Sequence, residues 1–183
     1  MTSEHDRQLV LRLARDAVVA HVNRQPQSQL AVSHLQPAVL ARPAGAFVTL
    51  HKRGDLRGCI GHIEANEPIG SVVPRCAVAA CSSDPRFSPV ARDELDAIDI
   101  EISLLGPLEP IAGPDDIRVG RHGLVVERGW QRGLLLPQVA TEWGWDAEAF
   151  LSHTCQKAGL PGDAWRKGAK LWRFEAEVFG EGR

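Results

Sequence analysis

Hydrophobic residues recur along the chain at a helical or a strand spacing, and these spacings predict most of its elements. Near the start, apolar residues repeat every three or four positions, at Leu9, Val10, Leu13, Ala14, Ala17 and Val18. This repeat is typical of an amphipathic helix. Ser3 can cap its first turn, and we expect the helix to end near Asn23. A polar connection follows over residues 24–29, and residues 30–43 show no clear period.

The helical spacing returns twice. Residues 67–82 form a second predicted helix, in which Pro74 should cause a kink or a restart, since proline lacks the backbone N–H donor. A third helix should follow Asp146, a suitable N-cap, and run to Ala158. Gly159 then provides the stop.

Strands are predicted where apolar residues alternate with polar ones or form short runs, over 46–51, 56–64, 95–105, 123–127, 133–136 and 170–179. The first two flank Lys52-Arg53-Gly54-Asp55, which favours a hairpin. The loop length stays open. A two- or four-residue loop places Cys59 on the face of Val48 and Leu50, whereas a three-residue loop pairs it with Thr49.

Helices that lie between antiparallel-looking strands predict an α/β or α+β fold. The 183 residues suit one domain, 1–183, with room for a larger and a smaller lobe.

The charge and the cysteine pattern narrow the functional classes. The net charge of −2 gives no overall field that would favour nucleic acid or an anionic membrane. No apolar run is long enough to span a bilayer, and the polar start of the chain is unlike a signal peptide. The spacing of the four cysteines predicts reduced thiols in the cytoplasm, without disulfides. No metal-ligand set, iron–sulfur motif or phosphate loop is present in the sequence, so no cofactor or metal is predicted.

The strongest chemical candidate is Cys59 in the segment Leu56-Arg57-Gly58-Cys59-Ile60-Gly61. In a regular strand Arg57, Cys59 and Gly61 point the same way. A guanidinium near a thiol favours the reactive thiolate, so Arg57 is a candidate for thiolate activation or anion binding. Gly58 and Gly61 let a backbone or a ligand approach. The alternative is a small buried side chain packed on the hairpin's apolar face.

Partners for such a thiol are less evident. We expect His62, and in the preferred registers also His51, on the opposite strand face from Cys59.

Four further residues are binding candidates. Asp84 and Arg86 flank a proline and either fix a loop by a salt bridge or leave Arg86 to bind an anion. Glu101 should point away from the apolar face of its strand. Gln138 follows a strand end, where ligands often bind in α/β folds.

Aromatic and cationic residues alternate in Trp165-Arg166-Lys167 and Lys170-Leu171-Trp172-Arg173. Such a pattern can bind nucleic acid. The near-neutral charge makes tryptophan packing beside solvated cations the better interpretation. Trp143 and Trp145 are likewise interpreted as packing residues.

Five ordered blocks resemble the AMMECR-type domain family. They are the segment around Cys59 and residues 83–90, 100–105, 133–140 and 155–160. The likeness spans about residues 44–179 and is nearest to the prokaryotic form found in the AmmeMemoRadiSam system.

The resemblance implies a mixed β-sheet flanked by helices, with a smaller lobe and the Cys59 segment near a groove between the lobes. It also implies association with a Memo-like protein and a radical SAM enzyme. Association with these two proteins implies an accessory or binding role. The alternative is a Cys59-dependent enzyme for an anionic small molecule, a peptide or a nucleotide.

Overall fold

The computed structural model describes residues 2–25 and 37–182, which form two compact units. The first unit comprises Met1–Leu105 and Glu177–Arg183, and the second comprises Gly106–Ala176. Part of the predicted polar connection and half of the unassigned stretch lie outside the described residues. The prediction of one domain stays a prediction.

An antiparallel sheet organises the first unit. Strands β1 (Gly45–Lys52), β2 (Asp55–His62) and β3 (Ile98–Leu105) lie in the order β2-β1-β3. Residues that follow the last strand of the chain run beside β3, where the Glu181 N–H donates to the Ile100 carbonyl oxygen at 3.0 Å. Strand β2 lies at the edge of the sheet.

The described residues of this unit form three α-helices, α1 (Glu4–Val22), α2 (Ala38–Ala41) and α3 (Ile69–Ser82). The predicted cap is confirmed, because the Ser3 side chain accepts the Asp6 N–H. Of the two outcomes predicted at Pro74, the restart is wrong, since α3 continues through this residue, and the kink stays a prediction. The apolar neighbours of Pro74 on both sides are buried, and that burial outweighs the loss of one backbone hydrogen bond.

The core of the first unit lies on one face of the sheet. Helix α3 packs on β1 and β2, and α1 packs on α3 and β3. The sheet residues in this core are aliphatic and almost fully buried: Val48, Leu50, Ile98, Ile100 and Ile102. The opposite face of β1 and β3 carries mostly polar residues and is called here the polar face: Phe47, Thr49, His51, Asp99, Glu101 and Ser103.

The second unit contains strands β4 (Glu109–Pro110), β5 (His122–Arg128) and β6 (Gln131–Leu135). It also contains the greater part of β7 (Lys170–Gly180), whose residues from Glu177 onward belong to the first unit. β5 pairs with β6 and β7, and β4 pairs with β7. Helices α4 (Pro137–Glu142) and α5 (Ala147–Lys157) complete it, and α5 packs on β5 and β6. The predicted cap Asp146 accepts the Ala149 N–H at 2.8 Å.

The fold-class prediction is confirmed, because helices flank β-sheet in an α+β arrangement. The five strand pairings with a described register are all antiparallel, whereas the resemblance implied a mixed sheet. Within the described residues, no helix is both long and apolar enough to cross a bilayer.

Candidate functional site

The hairpin that carries Cys59 has a two-residue turn and a bulge. Lys52 pairs with Asp55, and the turn residues Arg53 and Gly54 have φ of 55° and 88°. Two positive φ values are typical of the type I′ turn, which joins twisted strands. Beyond it, His51 pairs with Leu56 and Leu50 with Gly58. Arg57 therefore has no opposite residue on β1 and forms the bulge.

This bulge decides the side of the sheet on which Cys59 lies. Cys59 stands opposite Thr49, on the polar face. A two-residue loop alone would have placed it with Val48 and Leu50, but one extra residue reverses the alternation. The interpretation of Cys59 as filler against those two side chains is therefore wrong.

The same register contradicts the strand face predicted for one histidine and confirms the face predicted for the other. His51 lies two residues from Thr49 on the same strand, so it shares the polar face with Cys59. The expectation that it lies on the opposite face is wrong. His62 stands opposite the buried Ala46 and lies on the other face, as expected.

The Cys59 residue is partly exposed, and its sulfur has a hydroxyl neighbour. The Thr49 hydroxyl donates to Sγ at 3.2 Å. The other three cysteines are buried. Burial raises the pKa of the Cys76 and Cys81 thiols to about 11, and it also raises that of Cys155. Among the four cysteines, Cys59 is thus the one that is not buried.

An Asp84–Arg86 pair binds both backbone groups of Cys59. The Cys59 N–H donates to Asp84 Oδ2 at 2.8 Å, and Arg86 Nη2 donates to the Cys59 carbonyl oxygen at 3.3 Å. The two side chains bond to each other at 2.7 and 3.0 Å. The hydrogen bond from Arg86 is the main reason why the Asp84 carboxyl has a pKa well below its usual range. The predicted salt bridge is confirmed, and it occupies the outer edge of β2.

Arg57 is also engaged by a carboxylate. Its Nη2 and Nε donate to Glu94 at 2.9 and 3.0 Å, and Nη1 donates to the Ser88 carbonyl oxygen at 2.9 Å. Lys52 Nζ lies 2.8 Å from the same carboxylate. The bond to Arg57 is the first cause that lowers the pKa of Glu94 to about 2. Arg57 therefore ties the bulge to the segment near Glu94, instead of following the regular alternation expected for it.

The two signature glycines make room for the protein's own chain. A Cβ at Gly58 would lie 2.2 Å from the Ala80 carbonyl oxygen of α3, and a Cβ at Gly61 would lie 2.2 Å from the Phe47 ring. The close approach expected at these two glycines is therefore made by a backbone oxygen and an aromatic ring of the same unit.

Glu101 and Asp99 extend the polar face across β3. Glu101 stands opposite Thr49, and Asp99 stands opposite His51. The outward direction predicted for Glu101 is confirmed. Gln138 follows the end of β6, as predicted, and lies in the first turn of α4, because Pro137 begins a helix directly after Leu136.

Three contributors to the site were not among the predicted site residues. Thr49 and His51 carry a signal in the alternation of β1, but their relation to Cys59 depends on the bulge. Glu94 carries no such signal in the sequence, because its partner Arg57 lies 37 positions away. Within the described ranges, no group of three His, Cys, Asp or Glu side chains is suited to hold a metal ion.

The cations of the second unit are largely paired. Arg166 bonds to Glu148 at 2.6 Å and Lys167 to Asp163 at 2.5 Å, which favours solvated ion pairs over a phosphate site.

Trp143, interpreted as a packing residue, is 69% exposed, so that interpretation is wrong. Trp145 is partly buried against the core of the second unit and stacks on His153, with ring centroids 3.8 Å apart.

Comparisons with known proteins agree on one family. The AMMECR1 family model matches residues 11–179. A protein from Methanothermobacter thermautotrophicus is 47% identical over 186 residues, covering 98% of this chain and 96% of the relative. One from Thermococcus gammatolerans is 43% identical over 189 residues, with 95% and 89% covered. The crystal structure of the uncharacterized protein PH0010 from Pyrococcus horikoshii is similar with a TM-score of 0.87 and 40% identity, over 95% of this chain and 90% of that one.

Proposed function

Because the chain belongs to the AMMECR1 family, as the match over residues 11–179 shows, we propose that it is an accessory or binding protein of a radical-SAM-linked modification system. It presents the polar face around Cys59 to a substrate or a partner protein. The proposed partners are a Memo-like protein and a radical SAM enzyme, and the proposed location is the cytoplasm.

The observation that supports this proposal most is that hydrogen bonds hold both the backbone and the sulfur of Cys59. Asp84 and Arg86 hold its backbone N–H and carbonyl oxygen, and Thr49 holds its sulfur. An edge strand whose outward groups are bound cannot pair with another chain there. A recognition surface benefits from such rigidity, since little ordering entropy is lost when a partner binds.

The two arginines beside Cys59 have a structural role, which fits a binding surface better than an anion site. The guanidinium groups of Arg57 and Arg86 already donate to carboxylates and backbone carbonyls. A guanidinium with several donors already used has fewer left for an anionic ligand. Both arginines therefore support the shape of the surface.

A binding assay tests the proposal. The tagged chain is mixed with separately purified Memo-like and radical SAM proteins from the same organism, and retention is measured by pull-down and by crosslinking with mass spectrometry. We expect at least one partner to be retained. Asp84→Ala should weaken retention about tenfold, a loss of about 1.4 kcal/mol.

Arg121→Ala is the matched control, because Arg121 forms an exposed ion pair with Glu175 in the second unit. It should bind as the unaltered chain does. A chain that retains neither partner in both assays would contradict the proposal.

A second candidate function is a Cys59-dependent enzyme. It is favoured by one observation: Cys59 is partly exposed beside a hydroxyl donor, while the other three thiols are buried. Iodoacetamide labelling of the folded chain, followed by peptide mass spectrometry, gives the rate at each cysteine. Faster labelling at Cys59 than at a small free thiol supports this candidate, and slower labelling removes its basis.

A further inference from the structure

We propose that Cys59, His51 and Asp99 form a nucleophile, a proton acceptor and an orienting carboxylate on the polar face. They would act on the acyl carbon of a neutral or cationic ester or thioester. This inference deepens the second candidate function and rests on it.

The register places His51 beside Cys59. Cys59 is directly opposite Thr49, and His51 is two positions further along the same face of β1. Diagonal neighbours of this kind lie about 7–8 Å apart at Cα, and less at Cβ, within reach of an aromatic side chain. The outward backbone groups of Cys59 bind Asp84 and Arg86. Cys59 and Thr49 are therefore a non-hydrogen-bonded pair, the kind in which side chains come closest.

Asp99 supplies the second, independent observation. It stands directly opposite His51 on the same face. Its Oδ1 atom is buried and has no hydrogen-bond partner among the described residues. A buried carboxylate oxygen without a donor requires an explanation, and a catalytic role is one that recurs. An imidazole N–H from His51 would satisfy this oxygen and leave the other ring nitrogen to accept a proton.

The other histidine of the hairpin cannot take this role. His62 lies on the opposite face, and its Nε2 is 3.0 Å from Asn66 Oδ1. The two histidines share one hairpin but lie on opposite faces of it. Substituting each in turn therefore separates a loss specific to the polar face from a loss caused by any disturbance of the hairpin.

The charge of the polar face defines the substrate class. Glu101 stands in the row of Thr49 and Cys59, two strands from the sulfur, or about 10 Å at the usual strand spacing. Asp99 adds a second carboxyl group to this face. The nearby guanidinium groups are engaged by Asp84 and Glu94. A neutral or cationic substrate therefore fits this face better than an anionic one.

The proposed step is an acyl transfer. The Cys59 thiol gives its proton to His51 as the sulfur attacks the acyl carbon, and a sulfur–carbon bond forms. The leaving alcohol or thiol departs with the proton from His51. Water then attacks the thioester, its proton passes to His51 and on to the sulfur, and the carboxylic acid is released. The sum is ester plus water giving acid plus alcohol.

p-Nitrophenyl acetate, a neutral ester, is the probe. Release of p-nitrophenolate is followed by absorbance, and acetylation of the Cys59 peptide by mass spectrometry. Cys59→Ser should abolish the acetyl thioester, and His51→Gln should lower the acylation rate about 100-fold. His62→Gln should leave it within about twofold, well below that loss. Imidazole added to His51→Ala should restore part of the rate, which a purely structural role would not allow. Asp99→Asn should lower the rate, and Asp99→Glu should recover part of it.

Two results overturn the inference: a His51→Gln variant that is acylated at the unaltered rate, or an equal loss in His62→Gln. If iodoacetamide still labels Cys59 rapidly in those variants, the inference fails while the second candidate function stands. If Cys59 is unreactive towards both reagents in the unaltered chain, both fail.

Discussion

The carboxylate of Asp84 accepts the backbone N–H of Cys59 at 2.8 Å across 25 positions of the chain. The Asp84 side chain is only 2% exposed. A buried carboxylate needs charge-assisted hydrogen bonds to offset its desolvation, and Arg86 and the Cys59 backbone provide them. The position of the sulfur thus depends on a residue from another part of the chain.

Removing the Asp84 carboxylate should therefore destabilise the fold. Asp84→Ala leaves the Cys59 N–H and the Arg86 guanidinium without their acceptor, and we expect a loss of about 3 kcal/mol in the free energy of unfolding. Urea denaturation measures it. Arg121→Ala, which breaks an exposed ion pair, should cost less than about 1 kcal/mol. A loss of similar size in both variants would contradict the structural role of Asp84.

The stability should fall in acid, because carboxyl groups in this unit have lowered pKa values. The pKa of Glu94 falls from 4.5 to about 2, chiefly through Arg57, and that of Asp84 falls through Arg86. A carboxyl whose pKa is lower in the folded state contributes stability that is complete above its unfolded pKa and is lost as the pH falls towards the folded value.

Unfolding free energies measured by urea between about pH 5 and pH 2.5 test this expectation, since the window covers most of the range between the unfolded and folded values. The curve of the unaltered chain should drop steeply. That of Glu94→Gln should be flatter. Identical slopes in the two proteins would exclude Glu94 as a source of the acid sensitivity.

The hairpin shows which part of the site the sequence can reveal. The two strands and the turn around Gly54 follow from local patterns, and the structure confirms them. The side of the sheet on which Cys59 lies does not, because it depends on the bulge at Arg57. Arg57 bonds to Glu94, 37 positions further on. A contact of that range leaves no trace in the spacing of apolar residues.

Length explains which elements were missed. Helices α1 and α5 have an apolar stripe and a side-chain cap, so their spacing and their first residues were predictable. Strand β4 has two residues and α4 has six. Elements this short contain too little of a period to be recognised, and tertiary packing decides them.

Gly58 should tolerate no side chain. A Cβ there would lie 2.2 Å from the Ala80 carbonyl oxygen, a backbone atom of α3 that cannot rotate away. We expect Gly58→Ala to cost about 3 kcal/mol, the upper range for overpacking, in urea denaturation. Gly113→Ala is the control, because Gly113 has extended backbone and, apart from its two chain neighbours, no described residue comes within 4 Å of the position that a Cβ would take there. Equal stability of the two variants would show that β2 and α3 are further apart than described.

The charge of the polar face should change the rates at which neutral and anionic reagents alkylate the Cys59 sulfur. Iodoacetamide is neutral and iodoacetate is anionic, but both alkylate a thiolate by the same displacement. Because Glu101 lies in the row of Cys59 and the arginines are engaged, the rate ratio of iodoacetamide to iodoacetate at Cys59 should exceed that of glutathione by about twofold to threefold at low salt. Glu101→Gln should lower the ratio, and salt should lower it in the unaltered chain. Arg121→Ala should leave it unchanged. A ratio below that of glutathione would mean that the arginines dominate the field at the sulfur, and the site would then suit an anionic substrate.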